Sequence, residues 1–397
     1  MIPVDKALEL ITEHSEILPV EEIDINNALG RVLAEDVPID INVPPFNRAA
    51  MDGYAVVSSD TKKVPVILEV VEEIPAGTRG NKKISSGKCA KIMTGAPVPA
   101  DADAVVMIEN TEELDQSHVI IKKSAGPLEN ICPTGEDARA GETILEKGMT
   151  IGPAEVGVLC FAGRKKVMVY KKPVVSVIPT GNEIIEHWKK PKDGMIRNIN
   201  GPMLLSLLKE MGIEGEYSGI VVDAEKEIMK ALEKAIDTSD IILLSGGVSM
   251  GKYDLVPDVL SKLGIKVIFH KVKIKPGKPL LFGRKGKKLV FGVPGNPVSN
   301  LTTFHMFIKP AIKKMMGYKK PVEFLKGYLT REWKRTADRA QVIPARYHFK
   351  NGVYHLDPIY IHGSGDLINC RGLNCLCYLE AESPPLKKGD LIDFLPI

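Results

Sequence analysis

Five apolar runs in this 397-residue chain are each followed at once by residues able to do polar chemistry. PVVSVI leads into Pro179-Thr180-Gly181-Asn182-Glu183, and YSGIVV into Asp223. DIILL leads into Ser245-Gly246-Gly247-Val248-Ser249-Met250-Gly251-Lys252-Tyr253-Asp254. IKVIFH is followed by Lys271, Lys273 and Ile274-Lys275-Pro276-Gly277-Lys278-Pro279, and LVFGV by Pro294-Gly295-Asn296-Pro297. Glycines let backbone N–H groups approach an anion closely, and a following helix adds its positive end. Two prolines and a glycine fix the loop presenting Lys275 and Lys278, which lowers the entropy of holding two ammoniums against a polyanion.

Each piece also has a plainer reading. Gly246 to Lys252 nearly satisfies G-x-x-x-x-G-K, but Tyr253 stands where a P-loop needs a Ser or Thr hydroxyl for Mg²⁺, which argues against a Walker NTPase. A tight turn there accounts for one glycine, less readily for three plus two serines. The lysine loop also fits a solvated loop of a lysine-rich protein, and Pro294–Asn300 a capped helix entry. Nearer the N-terminus, Asn47-Arg48-Ala49-Ala50-Met51-Asp52-Gly53-Tyr54-Ala55 places an Asp before Gly, usually a hairpin or Asx turn. Thr94-Gly95-Ala96-Pro97 and Gly135-Glu136-Asp137 read as turns first and sites second. The histidines form no H-x-x-x-H or H-E-x-x-H.

The elements that must position these segments follow from periodicity. Val4 to His14 is apolar at helical spacing. Asp40–Phe46 carries Pro44 and Pro45, which forbid helix and suggest a linker. Between Tyr54 and Leu145, short strands (YAVV, PVILEVVEEI, CAKIM, DAVVMIE, HVIIKK) alternate with turns, predicting a β-rich barrel or sandwich. From Lys172 the pattern becomes strand–helix alternation: PVVSVI, a helix Pro202–Met211, YSGIVV, Asp223 as N-cap of AEKEIMKALEKAI, DIILLS, and a helix ending at Gly264. IKVIFHKV, PLLFGRKGKKLVFGV and a helix Pro297–Met316 complete it. This rhythm specifies a doubly wound, mostly parallel α/β sheet, with ligands expected at the carboxyl ends of the strands. After Tyr318 the pattern is β again. The expected division is 1–45, N-terminal helix and linker; 46–140, β-rich domain; 141–171, return connection; 172–320, α/β domain; 321–397, C-terminal β domain.

Composition narrows the function classes. Lys+Arg 53 against Asp+Glu 50 leaves a net charge of +3, which does not suggest a duplex-wide nucleic-acid grip. No run approaches the roughly 18 apolar residues of a membrane span, and the charged first twenty residues hold no signal-peptide core. A cytoplasmic location is expected. Six cysteines make no disulfide framework, and Cys370, Cys375 and Cys377 form C-x4-C-x-C, matching no common zinc spacing, so buried reduced thiols are preferred. Only two glutamines and a large excess of lysine over arginine resemble thermophile composition.

Six segments in this order, Asn47–Ala55, Ile92–Pro97, Gly135–Asp137, Ser245–Ser249, Lys275–Pro279 and Pro294–Pro297, resemble the MoeA family of molybdenum-cofactor biosynthesis, the molybdopterin molybdenumtransferases, with the gephyrin E domain as a eukaryotic relative. The likeness covers essentially the whole chain. SGGVS alone also fits the smaller molybdopterin adenylyltransferases, which lack the flanking β domains. The resemblance implies insertion of molybdate into adenylylated molybdopterin with release of AMP and a divalent cation such as Mg²⁺. It implies a homodimer whose site lies between the α/β domain of one subunit and the β domain of the other, where Asp52, Thr94 and Asp137 face the strand ends. The adenylyltransferase is a candidate partner.

On the same basis, Ser245, Gly246, Gly247, Ser249 and Gly251 cradle phosphate. Asp254, Glu183 and Asp223 bind Mg²⁺ or the pterin, and Lys271, Lys275 and Lys278 offset phosphate and molybdate charge. Asp52 activates water or the metal, while Pro294 and Pro297 shape the pocket. One departure stands out: Thr180-Gly181-Asn182-Glu183 replaces the family's frequent T-G-D-E. Arg346 and Ser364 receive no role. Tungstate, with molybdate's charge and nearly its size, is a possible alternative cargo, and a pterin-binding carrier or scaffold without metal-insertion chemistry is the alternative function.

Overall fold

In the computed structural model, residues 1–247, 256–334 and 338–397 are described. They form two units: Met1–Glu22, Gly30–Ala34 and Met168–Ile397 in one, Ile23–Leu29 and Glu35–Val167 in the other.

The larger unit begins with α1 (Val4–His14), whose Val4, Ala7 and Ile11 are buried as their spacing requires. Then follow β1 (Val175–Pro179), α2 (Asn200–Glu210), β2 (Gly215–Tyr217), α3 (Glu225–Thr238), β3 (Ile241–Ser245), α4 (Val256–Lys262), β4 (Lys266–His270), β5 (Leu281–Lys285) and β6 (Lys288–Val293). The helical run closes with α5 (Pro297–Thr303), a π-helical turn Phe304–Ile308, and α6 (Lys309–Met315). The sheet order is β2-β1-β3-β6-β5-β4. Its first four strands are parallel, whereas β6–β5 and β5–β4 are antiparallel. Both faces are covered. Ile241 and Leu243 join the core that holds α1, α2 and Phe304, while Ile242 and Leu244 join the core of α3 and α4. That alternation explains why β3 is apolar at every position.

Three local expectations need correction. The strand expected over YSGIVV ends at Tyr217, with only a bridge from Val221 to Thr180 beyond it. Asp223 is not the N-cap of α3: Ala224 holds that place in an extended conformation, and no side chain caps the helix. The helix expected from Pro202 begins at Asn200, which leaves Pro202 in the first turn, where its missing N–H costs nothing.

The same unit contains β7 (Leu325–Leu329), β8 (Ala340–Lys350), β9 (Val353–Pro358), β10 (Cys375–Leu379) and β11 (Leu391–Pro396). Their pairings run β8-β9-β7-β11-β10 and back to β8, closing a small barrel. Cys375 and Cys377 are buried in its core beside Leu329, Leu356 and Phe394. The Cys377 thiol is pushed up by the adjoining Cys375 and by burial. Ile274–Lys275 pairs in parallel with Ala340 and Gln341 of β8, which ties the lysine loop to the barrel.

The smaller unit is built on a six-stranded mixed sheet that includes Gly53–Val56, Val66–Ile74, Lys88–Ile92 and Ala104–Met107. Tyr54 and Val56 face one core and Ala55 the other. Among the described residues no helix is long and apolar enough to cross a membrane.

Candidate functional site

Register brings three strand ends together. Pro179 pairs with Ser245, and Ser245 with Val293, so Thr180, Gly246 and Pro294 emerge side by side. Thr180 N donates to Ser245 O at 2.8 Å. Ser245 Oγ accepts from Asn200 Nδ2 at 2.9 Å and from Asn300 Nδ2 at 3.1 Å. Asn200 Nδ2 also reaches Gly295 O at 2.6 Å, and Asn300 Nδ2 reaches Pro294 O at 3.3 Å. Two asparagines at helix starts thereby lock the β3 end to the turn after β6.

The glycines are here for space. Gly246 has φ +104°, and a Cβ on it would lie 2.4 Å from Thr180 O. Gly247 has φ +62°, and its Cβ would sit 3.2 Å from Thr180 Oγ1 and 3.9 Å from Asp223 Oδ1. Thr180 Oγ1 and Asn200 Oδ1 are buried and have no hydrogen-bond partner among the described residues. Buried polar atoms are rarely left so, and here both line a cavity of about 400 Å³ with Glu183, Ser245, Gly246 and Pro297. Asp223 lies outside that lining; its N–H donates to Asn182 Oδ1 at 3.0 Å. Asn182 thus braces the segment that follows β2.

A second cleft of about 670 Å³ shares Gly295 and Asn296 with the first and lies between the lysine loop and the barrel. Lys275, Lys278 and Pro294 line it, with Lys275 partly buried and Lys278 exposed. From the barrel side come Trp333, Arg339 and Ser364. Trp333 Nε1 and Arg339 Nε are buried without a hydrogen-bond partner among the described residues. Ser364 docks on the start of α5: its Oγ accepts from Asn296 Nδ2 at 2.8 Å and its O from Val298 N at 3.0 Å. Lys271 lines neither cavity; its backbone, at φ +81°, bonds Ile2 and Leu280. Ser249, Gly251 and Asp254 lie outside the described residues.

In the smaller unit the turn segments converge. Asp52 Oδ1 accepts from Thr94 N at 2.6 Å and from Thr94 Oγ1 at 2.8 Å. These bonds, backbone first, hold the exposed carboxyl below its ordinary range. Gly53 must be glycine, because a Cβ would lie 1.9 Å from Val106 O. Asn47 Oδ1 accepts from Thr134 N at 2.9 Å, and Asp137 N bonds Val43 O at 2.9 Å, which places exposed Asp137 on the neighbouring turn.

Asn200, Asn300, Trp333 and Arg339 escaped the sequence reading. An Asn within an apolar helix start was the available signal at 200 and 300; the other two become visible only once the barrel is docked.

Three family models match in order: the MoeA N-terminal region (domain I and II) over residues 2–163, a probable molybdopterin binding domain over 176–314, and the MoeA C-terminal region (domain IV) over 326–397. A Staphylococcus epidermidis protein named molybdopterin molybdenumtransferase is 32% identical over 400 residues, covering 99% of this chain and 95% of its own. A Staphylococcus aureus protein of the same name matches equally in identity and coverage. The crystal structure of a molybdopterin biosynthesis moeA protein from Pyrococcus horikoshii OT3 superposes with a TM-score of 0.85 at 32% identity, covering 100% of both chains. The resemblance first carried by six short segments therefore extends over the whole chain and its fold, and the chain belongs to the MoeA family, the molybdopterin molybdenumtransferases.

Proposed function

We propose that this chain inserts molybdate, or tungstate, into adenylylated molybdopterin and releases AMP. The observation that carries the reading is the cavity at the ends of β1, β3 and β6, where crowded glycines and two buried oxygens, unpartnered among the described residues, line a ligand-sized space inside the segment matched by the molybdopterin-binding model. Gly246 and Gly247 present backbone to the phosphates, with Ser249 and Gly251 continuing the cradle. Pro294 and Pro297 wall the two cavities. Lys275 and Lys278 supply positive charge for the oxyanion and the departing AMP; Lys271 acts only at longer range.

The oxygen-rich donor set fits Mg²⁺. Asp223 Oδ1 and Thr180 Oγ1 flank the space a Cβ on Gly247 would take, and Glu183 lines the cavity. No group of three His, Cys, Asp or Glu converges among the described residues. Mg²⁺ held by one or two carboxylates commonly completes its shell with substrate phosphate oxygens and water, and Asp254 is the further carboxylate in this proposal. Asp52, supported by Thr94 and with Asp137 on the next turn, is assigned to the α/β site of a second copy in a cytoplasmic homodimer, which the adenylyltransferase supplies with substrate.

Purified protein with adenylylated molybdopterin and Mg²⁺ is expected to release AMP only when molybdate or tungstate is added, and the two rates rank the metals. Pterin binding without oxyanion-dependent AMP release would leave a carrier or scaffold. Thr180→Val tests the cradle by itself. It removes a buried hydroxyl, unpartnered among the described residues, at nearly constant shape, so thermal stability is expected to hold or rise by about 1 kcal/mol. Affinity for the pterin nucleotide is expected to fall about tenfold in a calorimetric titration. An unchanged affinity removes the hydroxyl from the site.

A further inference from the structure

The helical run from Pro297 to Met315 widens into a π-helical turn at Phe304–Ile308. Such expansions often mark functional positions. This one carries His305, and Lys309 and Lys313 follow at four-residue steps along one face. The three line a cavity of about 150 Å³, closed by Glu323, Pro321 and the end of β11.

His305 is 3% exposed, yet its Nδ1 has no hydrogen-bond partner among the described residues. Burial, helped by the Lys309 ammonium, pushes the imidazole down to about 3, so the ring is neutral at physiological pH and has a donor to offer. Lys309 meets Glu210 only at 3.9 Å, and that carboxylate is more than half exposed and outside the cavity lining. Lys313 lies over the Tyr318 ring, 5.4 Å from its centroid. Its pKa is lowered by burial and then by Lys309, with Glu323 opposing. Two lysines therefore share the lining with one carboxylate. Like charges four residues apart weaken a helix, and burial makes each charge costlier. A bound anion relieves both penalties.

We propose that this cavity is a second ligand site, taking a small tetrahedral oxyanion of the phosphate or sulfate kind on Lys309, Lys313 and the Nδ1–H of His305. Its volume falls well below the roughly 300 Å³ at which drug-sized ligand pockets begin, which excludes a nucleotide or pterin. It shares no lining residue with the two clefts at the strand ends.

The test is a titration of inorganic phosphate into the full chain carrying Lys278→Gln, which weakens competing binding at the lysine loop, followed by calorimetry and by ¹⁵N resonances of selectively labelled histidines. Saturable binding that shifts the His305 resonance is expected. Lys313→Gln should weaken it about tenfold, and Lys313→Arg should retain it. Should Lys313→Gln not fold, Lys309→Gln carries the same expectation. Sulfate and molybdate should compete with phosphate. Equal phosphate affinity in the folded Gln variant, an unmoved His305 resonance at saturation, or failure of both anions to compete overturns the proposal.

Discussion

Gly246→Ala is expected to cost about 1–3 kcal/mol of stability and to weaken pterin-nucleotide binding about a hundredfold. The added Cβ would start 2.4 Å from Thr180 O, a backbone atom, in a conformation at φ +104° that L side chains rarely adopt. No rotamer relieves such a contact. Either β1 and β3 part at Thr180, whose N–H bonds Ser245 O, or Gly246 swings out and takes the proposed phosphate cradle with it. Gly295→Ala is the control, because a Cβ there meets nothing within 4 Å and the residue lines both cavities. It should melt like the parent and lose affinity through occupied ligand space alone. Paired denaturation and titration of the two variants check this. Binding at parental strength by a folded Gly246→Ala variant would falsify the cradle.

The strands that carry the site were legible because a strand buried on both faces must be apolar throughout, as 241–244 are. Their direction was not. An apolar run reads the same in either sense, so the antiparallel β4–β5–β6 edge emerged only from pairing. Asp223 looked like a helix cap because Asp commonly precedes a first turn; Ala224 takes the place, while Asp223 N–H answers to Asn182, forty-one residues earlier. The strand-end glycines were visible as a set. Asn200 and Asn300 were not, since each matters through Ser245, 45 and 55 residues away. The lysine loop was legible as chemistry, but the barrel wall facing it comes from residues beyond Tyr318 with little polar patterning.

Asp52→Asn is expected to lower the rate of oxyanion-dependent AMP release about 10²–10³-fold while leaving substrate affinity and melting temperature nearly unchanged. The geometry makes this a clean removal of charge. Both Thr94 hydrogen bonds fall on Oδ1, which an Asn Oδ1 also accepts, so the turn should persist. Those bonds hold the Asp52 carboxyl below its ordinary range. With a folded pKa below the unfolded one, its contribution to stability is complete above the unfolded Asp range and is lost only as pH falls through the lowered value. The group is therefore ionised at any working pH, and an acidic limb of the rate profile near neutrality must come from elsewhere. Mixing decides whether a second copy supplies it. In heterodimers of Asp52→Asn and Gly246→Ala, a site shared between subunits leaves one intact site, so random mixing should restore about a quarter of the parental activity. A site confined to one chain restores none. Wild-type rate in Asp52→Asn would take the residue out of the chemistry and leave it as the anchor of the Thr94 turn.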